Sequence, residues 1–274
     1  MSSNDWLAGR HALLTGAGAG LALAVSRAFL DAGARCTLCA PERAPGEAVK
    51  ALRSFAGSRV NYLCCDPQDA DGVESMMSEA HARFGAVQIF FNHLMSRGAR
   101  PCGDAGAAAR ADRIRSDLRA QQVAMQAALR YMLACGSGGT VVNVALLPPL
   151  DVDLESRADF DAAIALMAFT REAAGDVASL GIRVNGLVVQ ADPLHEACRA
   201  DGLACVPWFE PRQAPWPGLQ ASKDATAPYE QVVHAALFLA SDRSRSMTGQ
   251  TLEVNCTGRF ASALPTRGSK ATSI

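Results

Sequence analysis

Lysine and tyrosine are scarce in this chain of 274 residues: the lysines are Lys50, Lys223 and Lys270, and the tyrosines are Tyr62, Tyr131 and Tyr229. All but three of the 26 basic residues are therefore arginine, and they are scattered along the chain. Chemistry that pairs a phenol with an ammonium has few residues to draw on. Net charge is scarce too, −1 with a pI near 6.5, which leaves no electrostatic footprint for nucleic acid or an anionic membrane. Long apolar runs are missing. Met1 to Gly9 is polar apart from Trp6, so no signal peptide is expected, and nothing reaches the length of a membrane span. Metal-ligand spacing is missing among the nine cysteines. Cys36 and Cys39 form a C-x-x-C pair, but along a strand its members point to opposite faces. Cys64 and Cys65 also fall on a strand, where cysteine behaves as a small hydrophobe. His195, Cys198 and Cys205 are too loosely arranged to hold a metal. We expect no metal and a cytoplasmic protein of a reducing compartment.

What is present is a hydrophobic composition of 49% with 19% charged residues, enough for one α/β domain with a substantial core. Its start is the most informative stretch. An apolar strand, His11 to Leu14, runs into Thr15-Gly16-Ala17-Gly18-Ala19-Gly20, and a helix opens at Leu21. Glycines let a backbone turn tightly and approach a ligand, and a helix N-terminus offers free N–H groups to an anion. That combination suits the pyrophosphate of a dinucleotide.

Strands and helices then alternate. Strands are expected at 34–40, 60–65, 87–91, 140–144, 181–189 and 249–255, and helices at 47–55, 70–84, 112–134, 160–180 and 229–240. Apolar strands alternating with amphipathic helices indicate a doubly wound parallel sheet of seven strands with helices on both faces. We expect one such domain over residues 1–257, with 191–228 as a substrate loop inside it and a polar tail at 258–274. The second strand ends at Ala40-Pro41, where a dinucleotide fold usually carries an acidic group for the ribose. Arg43 follows in the loop and tilts the expectation slightly towards NADP over NAD.

These residues resemble the short-chain dehydrogenase/reductase family over about residues 5–257. The resemblance rests on Thr15-Gly16-x-x-x-Gly20, Asp66, Asn92, Val141-Val142-Asn143-Val144, Gly181-Ile182-Arg183-Val184-Asn185, and Leu239-Ala240-Ser241-Asp242 followed by Thr248-Gly249-Gln250. It implies a Rossmann-type fold and an NAD or NADP site built from Thr15, Gly16, Gly18, Gly20, Leu21, Arg43, Asp66 and Asn92. Asp66 would accept from the adenine amine. Ala22 stands where the family has its third glycine. The resemblance also implies a homodimer or homotetramer built through helical interfaces, with a hetero-oligomer as the alternative.

The family's serine, tyrosine and lysine are absent from the matching places. Leu146 takes the serine place, Asp159 or Phe160 the tyrosine place, and Ala163 or Ile164 the lysine place, while the helical asparagine becomes Asp117. Asn92-His93-Leu94-Met95 and Val189-Gln190 replace the small residues that normally flank the nicotinamide. His93, Asp117 and Asp159 form the candidate acid/base set, with His93 the best tuned for neutral pH. The alternatives are a histidine satisfied by backbone at a strand end and an aspartate that caps the helix it precedes. Leu94, Leu146, Trp208 and Trp216 are candidate pocket residues, or loop-packing anchors in the case of the tryptophans.

Three functions follow for a small-molecule ligand. The first is non-redox acid/base chemistry: elimination, isomerisation or cyclisation. The second is a silent family member that supports a partner, and the third an NADP(H)-dependent reductase with an unrecognised proton donor.

Overall fold

The computed structural model describes residues 5–18, 20–66, 69–93, 107–147, 157–190 and 227–255. In chain order the elements are β1 (His11–Thr15), α1 (Gly20–Asp31), β2 (Arg35–Ala40), α2 (Glu47–Ala56), β3 (Val60–Cys64), α3 (Ala70–Phe84), β4 (Ile89–Asn92), α4 (Ala107–Cys135), β5 (Gly139–Leu147), α5 (Arg157–Val177), β6 (Ile182–Gln190), α6 (Ala227–Ala240) and β7 (Thr251–Asn255). The strands form one sheet in the order β3-β2-β1-β4-β5-β6-β7, and every neighbouring pair is parallel. Strand order reverses between β1 and β4, and in such sheets the crevice beyond the carboxyl ends of those strands is where ligands bind.

Strand alternation sorts the side chains onto the two faces. Ala12, Leu14, Cys36, Leu38, Ile89, Phe91, Val142 and Val144 pack against α1, α2 and α6. Leu13, Cys39, Phe90, Val141 and Val184 pack against α3, α4 and α5. Cys36 and Cys39 thus lie in different cores, as the strand spacing requires. Both faces of β1 and β4 are covered, so every residue of those strands is buried.

Several boundaries differ from the sequence expectation, and three of the differences bear on the site. α4 begins at Ala107 rather than Asp112, because Ala107-Ala108-Ala109 has the highest helix propensity and extends the helix backwards. β5 runs on to Leu147, since Val144 to Leu147 continue to pair with Leu187 to Gln190. α5 begins at Arg157, which puts Asp159 inside the first turn and removes it from the capping position before the helix. At the far end of α5, residues 178–180 tighten into a 3-10 turn that closes on Gly181 at φ 74°. Among the described residues, no helix is long and apolar enough to cross a membrane.

Two of the sequence motifs fasten to each other. The Arg183 guanidinium donates to Ser244 (carbonyl 3.1 Å, hydroxyl 2.9 Å), to Met247 (3.5 Å), to Leu239 (3.2 Å) and to Ser241 (3.1 Å). Asn185 donates to the Met247 carbonyl at 2.9 Å and accepts from the Gln250 N–H at 3.1 Å. The segment between α6 and β7 is thereby held on the end of β6. Arg183→Met should leave several half-buried carbonyls without a donor and cost about 3 kcal/mol, read as a lower urea midpoint.

Candidate functional site

β1 ends at Thr15, whose hydroxyl accepts the His93 N–H at 3.0 Å and lies 3.4 Å from the Phe91 carbonyl. This ties the glycine turn to the end of β4. Gly16 has φ 66°, and a Cβ on it would fall 2.1 Å from the His93 carbonyl oxygen. Only glycine can stand there. The Ala17 N–H donates to the Cys39 carbonyl at 3.1 Å, which anchors the turn to β2 as well. Gly20, at φ 64°, opens α1, and Leu21 behind it is buried. The turn and the α1 N-terminus form the cradle for an anion that the sequence indicated.

On the adenosine side the structure adds a residue. The Glu42 carboxylate leans onto the turn, its Oε2 3.1 Å from where a Gly18 Cβ would lie. The Tyr62 hydroxyl donates to the Glu42 carbonyl at 2.8 Å and steadies that loop. Arg43 is exposed, and Asp66 is exposed just past β3. Sequence reading passed over Glu42 because it sits two residues beyond β2 rather than at its end. A glycine cradle, a carboxylate beside it and Asp66 fit the adenosine and pyrophosphate portion of a dinucleotide.

At the end of β4, Asn92 is fully buried. Its amide donates to the Gln121 carbonyl and to Asn143 Oδ1, each at 2.9 Å. Asn143 in turn donates to Thr170 Oγ1 at 2.9 Å, and Gln121 Nε2 donates to the Val144 carbonyl at 2.9 Å. The chain of bonds clamps α4 and α5 to β4 and β5. His93 is buried beside the Phe91 ring, and among the described residues neither ring nitrogen makes a hydrogen bond. Burial lowers it to about 4, so the ring is neutral near pH 7 rather than poised there. That corrects the tuning expected from the sequence.

Beyond this network the packing between β5 and α5 is apolar. Ala145, Leu147, Ala163, Leu166, Met167 and Val188 form one buried cluster, with Leu118 and Phe160 packed on it. Leu146 faces the other way and packs on the core beneath α1 and α6. Ile164 is 41% exposed and lies outside that cluster. Asp117 is half-buried on α4, one turn before Gln121, and Asp159 lies in the first turn of α5. Gln190 ends β6 opposite Leu147, and among the described residues its buried Nε2 makes no hydrogen bond, a feature no sequence pattern signalled. Leu94, Trp208 and Trp216 lie outside the described residues, as do His195, Cys198 and Cys205. Among the described residues, no group of three or more metal-ligating side chains occurs.

Known proteins bear on this geometry. The family model described as "Enoyl-(Acyl carrier protein) reductase" matches residues 16–256. The chain is 31% identical over 250 residues to cis-4-hydroxycyclohexanecarboxylate dehydrogenase of Sinomonas cyclohexanicum, covering 90% of this chain and 95% of that protein. It is 28% identical over 266 residues to a (+)-cis,trans-nepetalactol synthase of Nepeta racemosa, covering 93% and 95%. A short chain dehydrogenase from Mycobacterium smegmatis shares the fold with a TM-score of 0.71 at 23% identity, covering 95% of this chain and 97% of that one.

His93 has a buried companion in His11, which bonds the Gly85 carbonyl and Thr37 Oγ1, each at 2.9 Å, and is also lowered to about 4 by burial. A folded-state value below the unfolded 6.5 gives stability that is complete above pH 6.5 and lost as pH falls towards 4. Each histidine should cost about 2 kcal/mol between pH 7 and pH 5. His93→Asn should roughly halve that loss, measured by denaturant unfolding at the two pH values.

Proposed function

Because this chain belongs to the short-chain dehydrogenase/reductase family, we propose that it binds NAD by its adenosine and pyrophosphate and performs non-redox acid/base chemistry on an oxygenated alicyclic compound. Elimination, isomerisation or cyclisation are the reaction types in view. The observation that carries this reading is the apolar cluster between β5 and α5. The resemblance puts the family's tyrosine and lysine at Asp159 or Phe160 and at Ala163 or Ile164. Phe160 and Ala163 lie in or against that cluster. Neither supplies a phenol or an ammonium, and a free phenol, with a pKa near 10, needs a neighbouring cation to exchange protons near neutrality. The names of several relatives point to ring substrates, among them the cyclohexanecarboxylate dehydrogenase and the nepetalactol synthase, the latter a synthase by name.

A bound dinucleotide would carry a nicotinamide able to give or take a hydride, which the non-redox reading leaves unused; the residues described here serve its other end. Glu42 suits the ribose diol as an acceptor and would repel a 2′-phosphate, so NAD replaces the slight preference for NADP that Arg43 suggested. Asp117 and Asp159 are the acid/base candidates. His93, neutral and with neither ring nitrogen hydrogen-bonded among the described residues, serves as a neutral donor or acceptor at the crevice rather than as a proton carrier.

The rival reading is a silent family member that acts by association. It draws on Leu133 of α4 and on Ile164 and Phe169 of α5, apolar side chains that are 41%, 41% and 37% exposed. Self-association as a homodimer or homotetramer through these helices is compatible with both readings.

Thermal unfolding separates the outcomes. NADH at 100 times its Kd should add about 2.7 kcal/mol, and NADPH much less. Glu42→Arg should reverse that order. Absence of a shift with either nucleotide would remove the binding claim. Oxidation of NADH or NADPH with a panel of alicyclic ketones should stay far below about 1 s⁻¹. Turnover at that ordinary rate would refute the non-redox reading, while binding without conversion of any ring substrate would favour the silent one.

A further inference from the structure

Two thiols meet at the end of the β2–β3 pair. Cys39 is buried in β2, opposite Leu63 of β3, and Cys65 follows β3 directly, its N–H donating to the Ala40 carbonyl at 3.1 Å. Cys39, Leu63 and Cys65 share one face of the sheet, in the core with Val73, Met76, Met77 and Ala80 of α3. On that face the Cys39 and Cys65 thiols are near enough to shift each other's proton affinity. Cys65 also lies 3.6 Å from the carbonyl of Asp66. Cys64, the last residue of β3, is exposed, and its thiol donates to the Pro41 carbonyl at 3.5 Å.

We propose that Cys39 and Cys65 form a peroxide-sensitive dithiol that closes to a disulfide and displaces Asp66, loosening the adenine end of the nucleotide site. The regulatory half of this inference rests on the nucleotide reading above; the cross-link itself does not. Cys65 is the entry point, because it is 8% exposed while Cys39 is 2% exposed. Interaction with the other thiol holds Cys65 below the usual thiol range and, together with burial, holds Cys39 above it. The carboxylates of Asp66, Asp69 and Glu79 oppose ionisation of Cys65 and slow its attack without removing it.

The chemistry balances with one peroxide. The Cys65 thiolate attacks a peroxide oxygen and the O–O bond breaks, leaving a sulfenic acid and hydroxide. Cys39, its proton lost to that hydroxide, attacks the Cys65 sulfur; the S–S bond forms and hydroxide leaves. Two thiols are oxidised by two electrons, and one hydrogen peroxide becomes two waters. A disulfide spans about 2.05 Å, shorter than any contact between unbonded sulfurs, so the two must draw together. β2 is paired on both edges, by β1 and by β3. The adjustment therefore falls on Cys65 and Asp66, which lie past the last residue of β3.

Hydrogen peroxide treatment, capping of remaining thiols and tryptic digestion test the cross-link on the wild-type chain. Cleavage after Arg35, Arg43, Arg59 and Arg83 should give a linked pair of peptides, 36–43 with 60–83, that fragmentation assigns to Cys39 and Cys65. The same sample should bind NADH about tenfold more weakly, the loss of roughly one hydrogen bond to a charged group, and dithiothreitol should restore it. Cys65→Ser should abolish both effects and Cys64→Ser neither. No linked peptide, linkage through Cys64, or unchanged NADH affinity in the cross-linked protein overturns the proposal. A reduced protein that binds no NADH would refute the nucleotide reading and the regulatory half together, while the peptide map still decides the cross-link.

Discussion

The crevice exists because β1 and β4 come together closely enough for Gly16 to rest against the backbone of His93. A Cβ on Gly16 would fall 2.1 Å from the His93 carbonyl oxygen, so any other residue would push the two strand ends apart. The Thr15 hydroxyl accepting the His93 N–H holds them at that separation. Everything that serves the site follows from this contact. The turn is aimed over the sheet, α1 starts where its N–H groups face the crevice, and Glu42 meets the turn from the β2 side.

Two polar assemblies hold the rest of the frame. Asn92, Asn143, Gln121 and Thr170 link β4, β5, α4 and α5 through buried hydrogen bonds. Arg183 and Asn185 fasten the segment between α6 and β7 to β6. In a low-dielectric interior such bonds are costly to break singly, because each loss strands a partner. Most of the family-like motifs in the sequence belong to these assemblies or to the glycine turn. They report on the frame, and a frame of this kind hosts many chemistries.

The contact between β5 and α5 carries different information. There Ala145, Leu147, Ala163 and Val188 form a buried apolar cluster with Phe160 packed against it. Among the described residues, the ring nitrogens of His93, Asn92 Oδ1 and Gln190 Nε2 make no hydrogen bond.

Periodicity and glycine placement were enough to read the parallel sheet, the order of its elements, the phosphate turn and the opposed faces of Cys36 and Cys39. These follow from local rules, since side-chain alternation and positive φ are properties of a few consecutive residues. Other features arose only when distant segments met. The start of α5 at Arg157, the approach of Glu42 to Gly18, the contact between Cys39 and Cys65, and the depressed proton affinity of His93 each depend on neighbours remote in sequence. Sequence by itself determined which groups the chain possesses and how each strand turns its faces. Tertiary structure alone decided which groups are buried, which are paired and which remain open, because burial and proximity are properties of the packed whole.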